Sequence, residues 1–105
     1  MTDLKLYIVN TIVRKLKDKA PFTPHEDFKY FNIPFKLAYE EEFREGFKKQ
    51  TYKHITIEGD LFSDEELIIK DTFYIDQAGN IVGRAWEVKY HDGVVSHKEI
   101  KFKEL

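Results

Sequence analysis

The spacing of apolar residues changes along this chain, from about four in the N-terminal half to two beyond Thr51. Near the N-terminus, apolar side chains recur as on the buried side of an amphipathic helix: Leu4, Ile8, Ile12 and Leu16. Thr2 or Asp3 can cap this helix, and Pro21 cannot continue it. The pattern therefore predicts a first helix over about residues 3–20.

Two further helices are predicted before the spacing changes. The sequence Thr-Pro-His-Glu at 23–26 is a capping box with proline at the first helical position, which predicts a short helix over about residues 24–31. Four aromatic side chains then recur every four residues, with charged residues between them: Phe35, Tyr39, Phe43 and Phe47. This spacing predicts a third helix over about residues 35–49, whose aromatic stripe packs in the core or lines a pocket.

The C-terminal half alternates apolar and polar residues, which is the pattern of half-buried strands. It predicts four strands, over about residues 52–58, 67–75, 81–90 and 94–103. The turn at 76–80 has the composition of a hairpin, with Gly79 or Asn80 free to adopt a positive φ. The chain is thus predicted to be a single α+β domain, residues 1–105, with N-terminal helices packed on one face of a four-stranded antiparallel β-meander.

The register of the two C-terminal hairpins determines which residues share the apolar face. A three-residue loop at 91–93, with Gly93 left-handed, pairs Tyr90 with Val94 and keeps the apolar residues of both strands together. A two-residue loop mixes apolar and charged residues on that face, so the three-residue loop is predicted. In the preceding hairpin, turn chemistry and the apolar pattern disagree by one residue, and a bulge at Gly83 reconciles them.

This register brings two charged residues, Asp71 and Arg84, onto the apolar face as diagonal neighbours near Trp86. A carboxylate and a guanidinium in apolar surroundings are costly unless they pair or serve a function. Two interpretations follow: a ligand-binding or catalytic pair in a cavity, and a structural ion pair. In the first interpretation, Trp86 and the aromatic side chains of Tyr39 and Phe43 complete the ligand site.

Composition and charge narrow the classes of partner. Apolar residues make up 42% of the chain and charged residues 34%, as in globular domains, and aromatic residues reach 15%. A net charge of −2 argues against a polyanion as the main partner. The end of the first helix is nonetheless basic, with four cations that could contact nucleic acid: Arg14, Lys15, Lys17 and Lys19. The alternative interpretation is that these cations complement the helix C-terminus.

The sequence contains no recognisable catalytic or metal-binding pattern. It has no cysteine, which excludes thiolate nucleophiles and thiolate metal sites. Three histidines have no zinc-ligand spacing and are predicted to lie on the surface: His25, His54 and His97. The acidic run between Glu58 and Glu66 lacks the ligand spacing of a calcium loop. We therefore predict no catalytic residue, no metal site and no cofactor; these patterns favour a non-enzymatic protein but leave enzymatic activity open.

The turn at 76–80, followed by Ile81 and Val82, is similar to hairpin turns in two families of domains. The order of elements, helices followed by a four-stranded meander, resembles that of cystatin-like and nuclear-transport-factor-2-like domains. That resemblance implies a curved sheet wrapped around a helix. It carries no motif, so it implies no functional residue.

The predicted function is a small non-enzymatic binding or adaptor domain that contacts a protein partner or a second copy of itself. The aromatic excess and exposed strand edges favour it. One alternative is a small-molecule pocket, with or without catalysis, between helices and sheet. The other is nucleic-acid contact through the first helix. Polar residues interrupt the N-terminal apolar pattern, so no membrane association is predicted and a cytoplasmic location is expected.

Overall fold

The computed structural model describes residues 4–18, 32–91 and 95–102, the last segment as backbone up to Phe102. These residues form one helix and five strands: α1 (Leu4–Asp18), β1 (Phe35–Arg44), β2 (Phe47–Thr56), β3 (Leu67–Ile75), β4 (Ile81–Tyr90) and β5 (Val95–Phe102). The predicted α+β class, with a helix packed on an antiparallel meander, is confirmed. The predicted helix over residues 24–31 lies outside the described residues.

The first predicted helix is confirmed as α1, whose apolar side is buried at Ile8, Val9, Ile12 and Leu16. Burying these four side chains against the sheet stabilises the helix more than its intrinsic propensity does. They join a core to which the sheet and the loop before β3 contribute: Phe62, Leu67, Ile69, Trp86, Val88 and Tyr90. The core therefore lies between α1, the first residues of β3 and the second half of β4, which contains Trp86.

The five strands form one antiparallel sheet in the order β1-β2-β3-β4-β5, so each strand pairs with its neighbours in sequence. All four predicted strands are present, and β3 and β4 have the predicted bounds. The fifth strand, β1, was not predicted. It adds an outer strand to the meander on the side of β2.

The prediction of a helix over residues 35–49 is wrong, because this segment forms β1 and the beginning of β2. Glu45 and Gly46 close the hairpin with φ values of 50° and 83°. Residues four apart share one face of a strand as well as one face of a helix, so the aromatic spacing fits both structures. The turn also places Phe43 and Phe47 on opposite faces, since Arg44, not Phe43, pairs with Phe47.

The hairpin between β3 and β4 forms as the turn chemistry predicts. The Asp76 N–H donates to the Asn80 carbonyl at 2.9 Å, closing a three-residue turn in which Gly79 has a φ of 87°. The register shifts by one residue beyond Tyr74, which pairs with Gly83. The predicted bulge near Gly83 is therefore confirmed.

The predicted register between β4 and β5 is wrong. Tyr90 pairs with Val95, not with Val94, and the remaining pairs follow the register of a two-residue loop. Val94 and Val95 are adjacent apolar residues, so the local pattern can place either of them opposite Tyr90. Residues 92–94, where the predicted loop lies, are outside the described residues.

The sheet has two faces with different chemistry. The helix face packs on α1 and carries the buried apolar residues of β3 and β4, among them Ile69, Phe73, Trp86 and Val88. The far face carries the alternate residues, which are mostly polar, among them Thr51, Lys53, Lys70 and Thr72. Within the described residues, no helix is long and apolar enough to cross a membrane.

Candidate functional site

Four residues on neighbouring strands form one row across the helix face. Tyr39 pairs with Tyr52, Tyr52 with Asp71, and Asp71 with Trp86. Because antiparallel partners share a face, these side chains lie side by side. The structure thus aligns three of the five predicted ligand residues, Tyr39, Asp71 and Trp86. Arg84 lies two pairs further along, opposite Phe73, and is therefore diagonal to Asp71 as predicted.

Asp71 and Arg84 form a buried bidentate ion pair. Arg84 Nε donates to Asp71 Oδ1 at 2.8 Å and Nη2 donates to Oδ2 at 3.1 Å. Arg84 Nη1 also donates to the carbonyl oxygen of Leu16, in the last turn of α1, at 3.3 Å. Each side chain of the pair is 3% exposed. This geometry links the end of α1 to the sheet, which supports the structural interpretation; ligand binding by the pair stays a prediction.

Aromatic contacts extend from this ion pair toward the edge of the sheet. The Arg84 guanidinium carbon lies 5.9 Å from the Phe73 ring centroid. The Phe73 ring meets the Tyr52 ring edge-on at 6.3 Å, and the Tyr52 ring lies 5.1 Å from that of Tyr39. Phe73 is 1% exposed, whereas Tyr39 is 48% exposed. The helix face therefore passes from a closed core at β4 to an accessible aromatic surface at β1.

Tyr39 is held in place by Glu41 on the same strand. The Tyr39 hydroxyl donates to Glu41 Oε1 at 3.0 Å, and Gln50 Nε2 donates to the same oxygen at 3.3 Å. Hydrogen bonds from Gln50, Tyr39 and Lys48 hold the pKa of Glu41 below its ordinary value of 4.5. Partial burial, followed by the hydrogen bond to Glu41, raises the pKa of Tyr39. At neutral pH, Tyr39 is thus a neutral donor beside an anionic Glu41.

Strand β1 carries most of the exposed apolar surface of the hairpin. Leu37 is 53% exposed and Phe43 is 75% exposed, and both share the helix face with Tyr39. Phe43 lies near the hairpin tip, opposite Lys48, and is not brought to the ion pair. Sequence analysis missed Leu37 because it lies outside the four-residue spacing. Its position two residues from Tyr39 was a signal for a strand.

The basic end of α1 lies on the side of the helix away from the core. Arg14, Lys15 and Lys17 are exposed, and Arg14 Nη2 donates to Thr11 Oγ1 at 3.4 Å. Lys19 lies outside the described residues. Lys15 and Lys17 occupy the last turn of the helix, where they complement its C-terminal carbonyl groups. Contact of this surface with nucleic acid stays a prediction.

A cleft of about 260 Å³ lies on the far face, and the sequence analysis did not predict it. Its floor contains Thr51 and Thr72, whose hydroxyl oxygens are 3.1 Å apart in a hydrogen bond. Longer side chains line its sides: Lys49, Lys53, Lys70, Tyr74, Glu40 and Glu87. Strand alternation places most of these residues on one face. The mistaken helix over residues 35–49 concealed that β2 begins at Phe47 and contributes three residues to the cleft: Lys49, Thr51 and Lys53.

His54 and the acidic run between Glu58 and Glu66 bear on the metal prediction. His54, predicted on the surface, is buried, because it pairs with Ile69 in the interior of the sheet and packs against the Phe35 ring. In the acidic run, Glu66 Oε1 accepts from Lys5 Nζ at 2.7 Å. In the described segments, no group of three or more His, Asp or Glu side chains could hold a metal ion.

The fold defines this chain as a small α+β domain in which one helix packs on an antiparallel meander. No protein-family model, curated protein or solved structure matches it. The resemblance to cystatin-like and nuclear-transport-factor-2-like domains therefore rests on the order of elements alone. Function has to be inferred from the surfaces of the domain itself.

Proposed function

We propose that this protein is a small binding domain that acts through protein–protein contact. Strand β1 is the contacting element, and a second copy of the chain is the partner that it fits best. The observation that carries this proposal is an outer strand of 10 residues with exposed apolar side chains at Leu37, Tyr39 and Phe43. Exposed aromatic and aliphatic groups at a strand edge are a common basis of protein association.

The backbone of β1 is suited to pairing with another strand. It pairs with β2 from Phe35 to Arg44 without a bulge and contains no proline. Edge strands are commonly protected by bulges, prolines or short length, because their outer N–H and C=O groups can bind another strand. In the part of the chain that the structure describes, β2 is the only strand paired with β1. The outer edge of β1 can therefore pair with another strand and extend the sheet.

The sequence of β1 is complementary to itself in an antiparallel arrangement. With the two-fold axis at Tyr39, Lys36 of each copy lies opposite Glu42 of the other. The same register places Phe35 opposite Phe43 on the helix face. Opposite charges and aromatic pairs in directly facing positions each stabilise strand pairing by about 0.2–1 kcal/mol.

Neighbouring registers that preserve the two faces are less favourable. An axis at Glu40 opposes the two Glu40 carboxylates and places Lys36 against Arg44, which are like-charge contacts. An axis at Ala38 pairs Lys36 with Glu40, but it shortens the paired segment and separates the aromatic residues. The Tyr39 register is therefore the one to test.

A charge-exchange experiment tests both the partner and the register. Lys36→Glu and Glu42→Lys each replace two opposite-charge contacts by like-charge contacts, so each should weaken self-association by roughly tenfold or more. An equimolar mixture of the two variants restores opposite charges at both contacts and should associate like the original protein. Sedimentation velocity over a range of concentrations measures both effects.

Lys17→Glu is the matched control, because it makes the same change in net charge on an exposed face of α1. It should leave self-association unchanged, and urea unfolding should show that all variants remain folded. A protein that stays monomeric at every concentration would overturn the proposal. Association that is insensitive to Lys36→Glu, or that the mixture does not restore, would overturn the role of β1.

A further inference from the structure

We propose that the cleft on the far face binds a compact oxyanion, namely the phosphate or carboxylate group of a small molecule. This site is separate from β1's outer edge and does not depend on self-association. It is carried by three lysines and two threonines that the register of β2 and β3 brings together: Lys49, Lys53, Lys70, Thr51 and Thr72.

The cleft arises from the sizes of the side chains in successive cross-strand rows. Thr51, Thr72 and Ala85 are successive partners, so a row of small residues crosses β2, β3 and β4. On one side of this row, Lys53 pairs with Lys70. On the other side, Lys49 pairs with Tyr74. Long side chains thus flank a floor of short ones, which makes a groove on an otherwise regular sheet.

The three lysines are placed as an anion site requires. Each is half-buried, so its ammonium group is held near the cleft. Across the described residues, no carboxylate lies within 4.0 Å of Lys49, Lys53 or Lys70 in a salt bridge. The cleft therefore presents positive charge that its own side chains do not neutralise by contact.

Lys53 and Lys70 carry like charges in directly facing positions, and Lys70 also faces Glu87 on β4, which offsets part of their repulsion. Like charges directly opposite each other on neighbouring strands destabilise a sheet, by an amount comparable to the gain from opposite charges. An oxyanion between the two ammonium groups converts this repulsion into two attractive contacts. The repulsion therefore lowers the stability of the unliganded domain and favours the bound state, a relation that is common at functional sites.

The floor and the rim indicate the class of ligand. In the hydrogen bond between Thr51 and Thr72 one hydroxyl donates, which leaves the proton of the other available to an anion. Glu40 and Glu87 at the rim limit the net charge of the lining to +1, since three lysines face two carboxylates. That balance suits a small anionic group and disfavours a polyanion such as nucleic acid.

Titration with inorganic phosphate, followed by ¹⁵N amide shifts of the full chain, tests this site. The proposal expects saturable shifts confined to β2, β3 and the middle of β4. Lys53→Gln and Lys70→Gln should each weaken phosphate binding by about tenfold, the loss expected for one charge-assisted hydrogen bond. Succinate in a parallel titration distinguishes a site for carboxylates from one that requires phosphate.

Thermal unfolding gives a second readout that a purely structural lysine would not produce. Without phosphate, Lys53→Gln should unfold at the same temperature as the original protein or higher, because the repulsion from Lys70 is relieved while the pairing of Lys70 with Glu87 is kept. With phosphate, the original protein should gain stability and the variant should gain less. Lys17→Gln on α1 is the matched control and should change neither result. Non-saturable shifts, or equal effects of Lys17→Gln and Lys53→Gln, would overturn the proposal.

Discussion

Burial of the Asp71 carboxylate and the Arg84 guanidinium removes two charges from water, at a cost of several kcal/mol each. Their bidentate contact and the hydrogen bond to the Leu16 carbonyl offset that cost. The same contacts fix the position of the end of α1 over the sheet. The pair therefore specifies how helix and sheet dock, and removal of either partner leaves an uncompensated buried charge.

Asp71→Val and Arg84→Met should each destabilise the protein by about 3–5 kcal/mol, the usual result of breaking a buried ion pair. The double variant should lose clearly less than the sum of the single losses, because no unpaired charge remains. The double variant should still be less stable than the original protein, since the Leu16 carbonyl loses the hydrogen bond from Arg84. Urea unfolding of the four proteins measures the coupling energy.

The pair of Glu87 and Lys89 provides the control: the two side chains are 21% and 57% exposed, and their charged atoms are 3.8 Å apart. The same cycle with Glu87→Val and Lys89→Met should give a coupling below about 1 kcal/mol, as is usual for surface ion pairs. Equal coupling in the two cycles would contradict the structural role of the buried pair.

Glu66 joins α1 to the loop before β3. Lys5 Nζ and Ser63 Oγ donate to its carboxylate at 2.7 and 2.8 Å, and these bonds, with that of Lys5 the largest cause, hold the pKa of Glu66 below 4.5. A lowered folded-state pKa stabilises the protein above the unfolded-state pKa, and that stability is lost as the pH falls through the folded-state pKa.

Glu66→Gln should therefore be less stable than the original protein at pH 7, and the difference should shrink below about pH 4, where the carboxylate takes up a proton. Urea midpoints across this range measure the effect. Glu58→Gln is the control, since Glu58 is an exposed acidic residue of the same loop. A stability difference that does not change with pH would show that Glu66 acts only through packing.

The hairpin of β1 and β2 is the element for which sequence and structure disagree. An aromatic residue at every fourth position is compatible with both a helix and a strand, so this spacing alone does not distinguish them. Leu37 lies two residues before Tyr39, as a strand requires, and Gly46 interrupts the predicted helix. A two-residue turn with positive φ at both positions is the preferred closure of a hairpin.

Two changes at this turn should shift stability in opposite directions. Gly46→Ala places a residue with a Cβ at a φ of 83° and should lower the free energy of unfolding by about 1–2 kcal/mol. Glu45→Asn places at a φ of 50° a residue that tolerates this region, and should stabilise by a fraction of a kcal/mol. Thermal unfolding, with near-identical circular dichroism at low temperature, measures both effects.

Gly79→Ala is the matched control for Gly46→Ala. Its φ of 87° is similar, and a Cβ there would meet nothing within 4 Å, so its loss of stability reports the backbone alone. A Gly46→Ala variant as stable as the original protein would show that the turn of β1 and β2 differs from the one described.

At the scale of the whole molecule, one helix on one side of a five-stranded sheet leaves two surfaces for function. The core under α1 involves β3 and β4, while β1 extends the sheet to the exposed side chains of Leu37 and Phe43. The far face carries the lysine cleft. The lining of the cleft includes one residue of β1, Glu40, but neither Lys36 nor Glu42, so the proposed self-association and the proposed anion binding can be tested separately.

Local sequence patterns are sufficient to predict the features for which they fit a single structure: α1, the bounds of β3 and β4, the turn at Gly79 and the bulge near Gly83. From these the sequence also placed Asp71 beside Arg84, because strand alternation and register follow from the hairpin. Only the tertiary structure decided between helix and strand at 35–49 and between Val94 and Val95 opposite Tyr90. In both cases two local structures satisfy the same apolar pattern, and pairing with a neighbouring strand selects one.

The contact of Arg84 with Leu16 and the cleft of the far face also required the tertiary structure. The contact joins Leu16 and Arg84, which are distant in the chain. The cleft is formed by side chains of three neighbouring strands. No local spacing encodes such contacts, because they depend on how the helix docks and how neighbouring strands align.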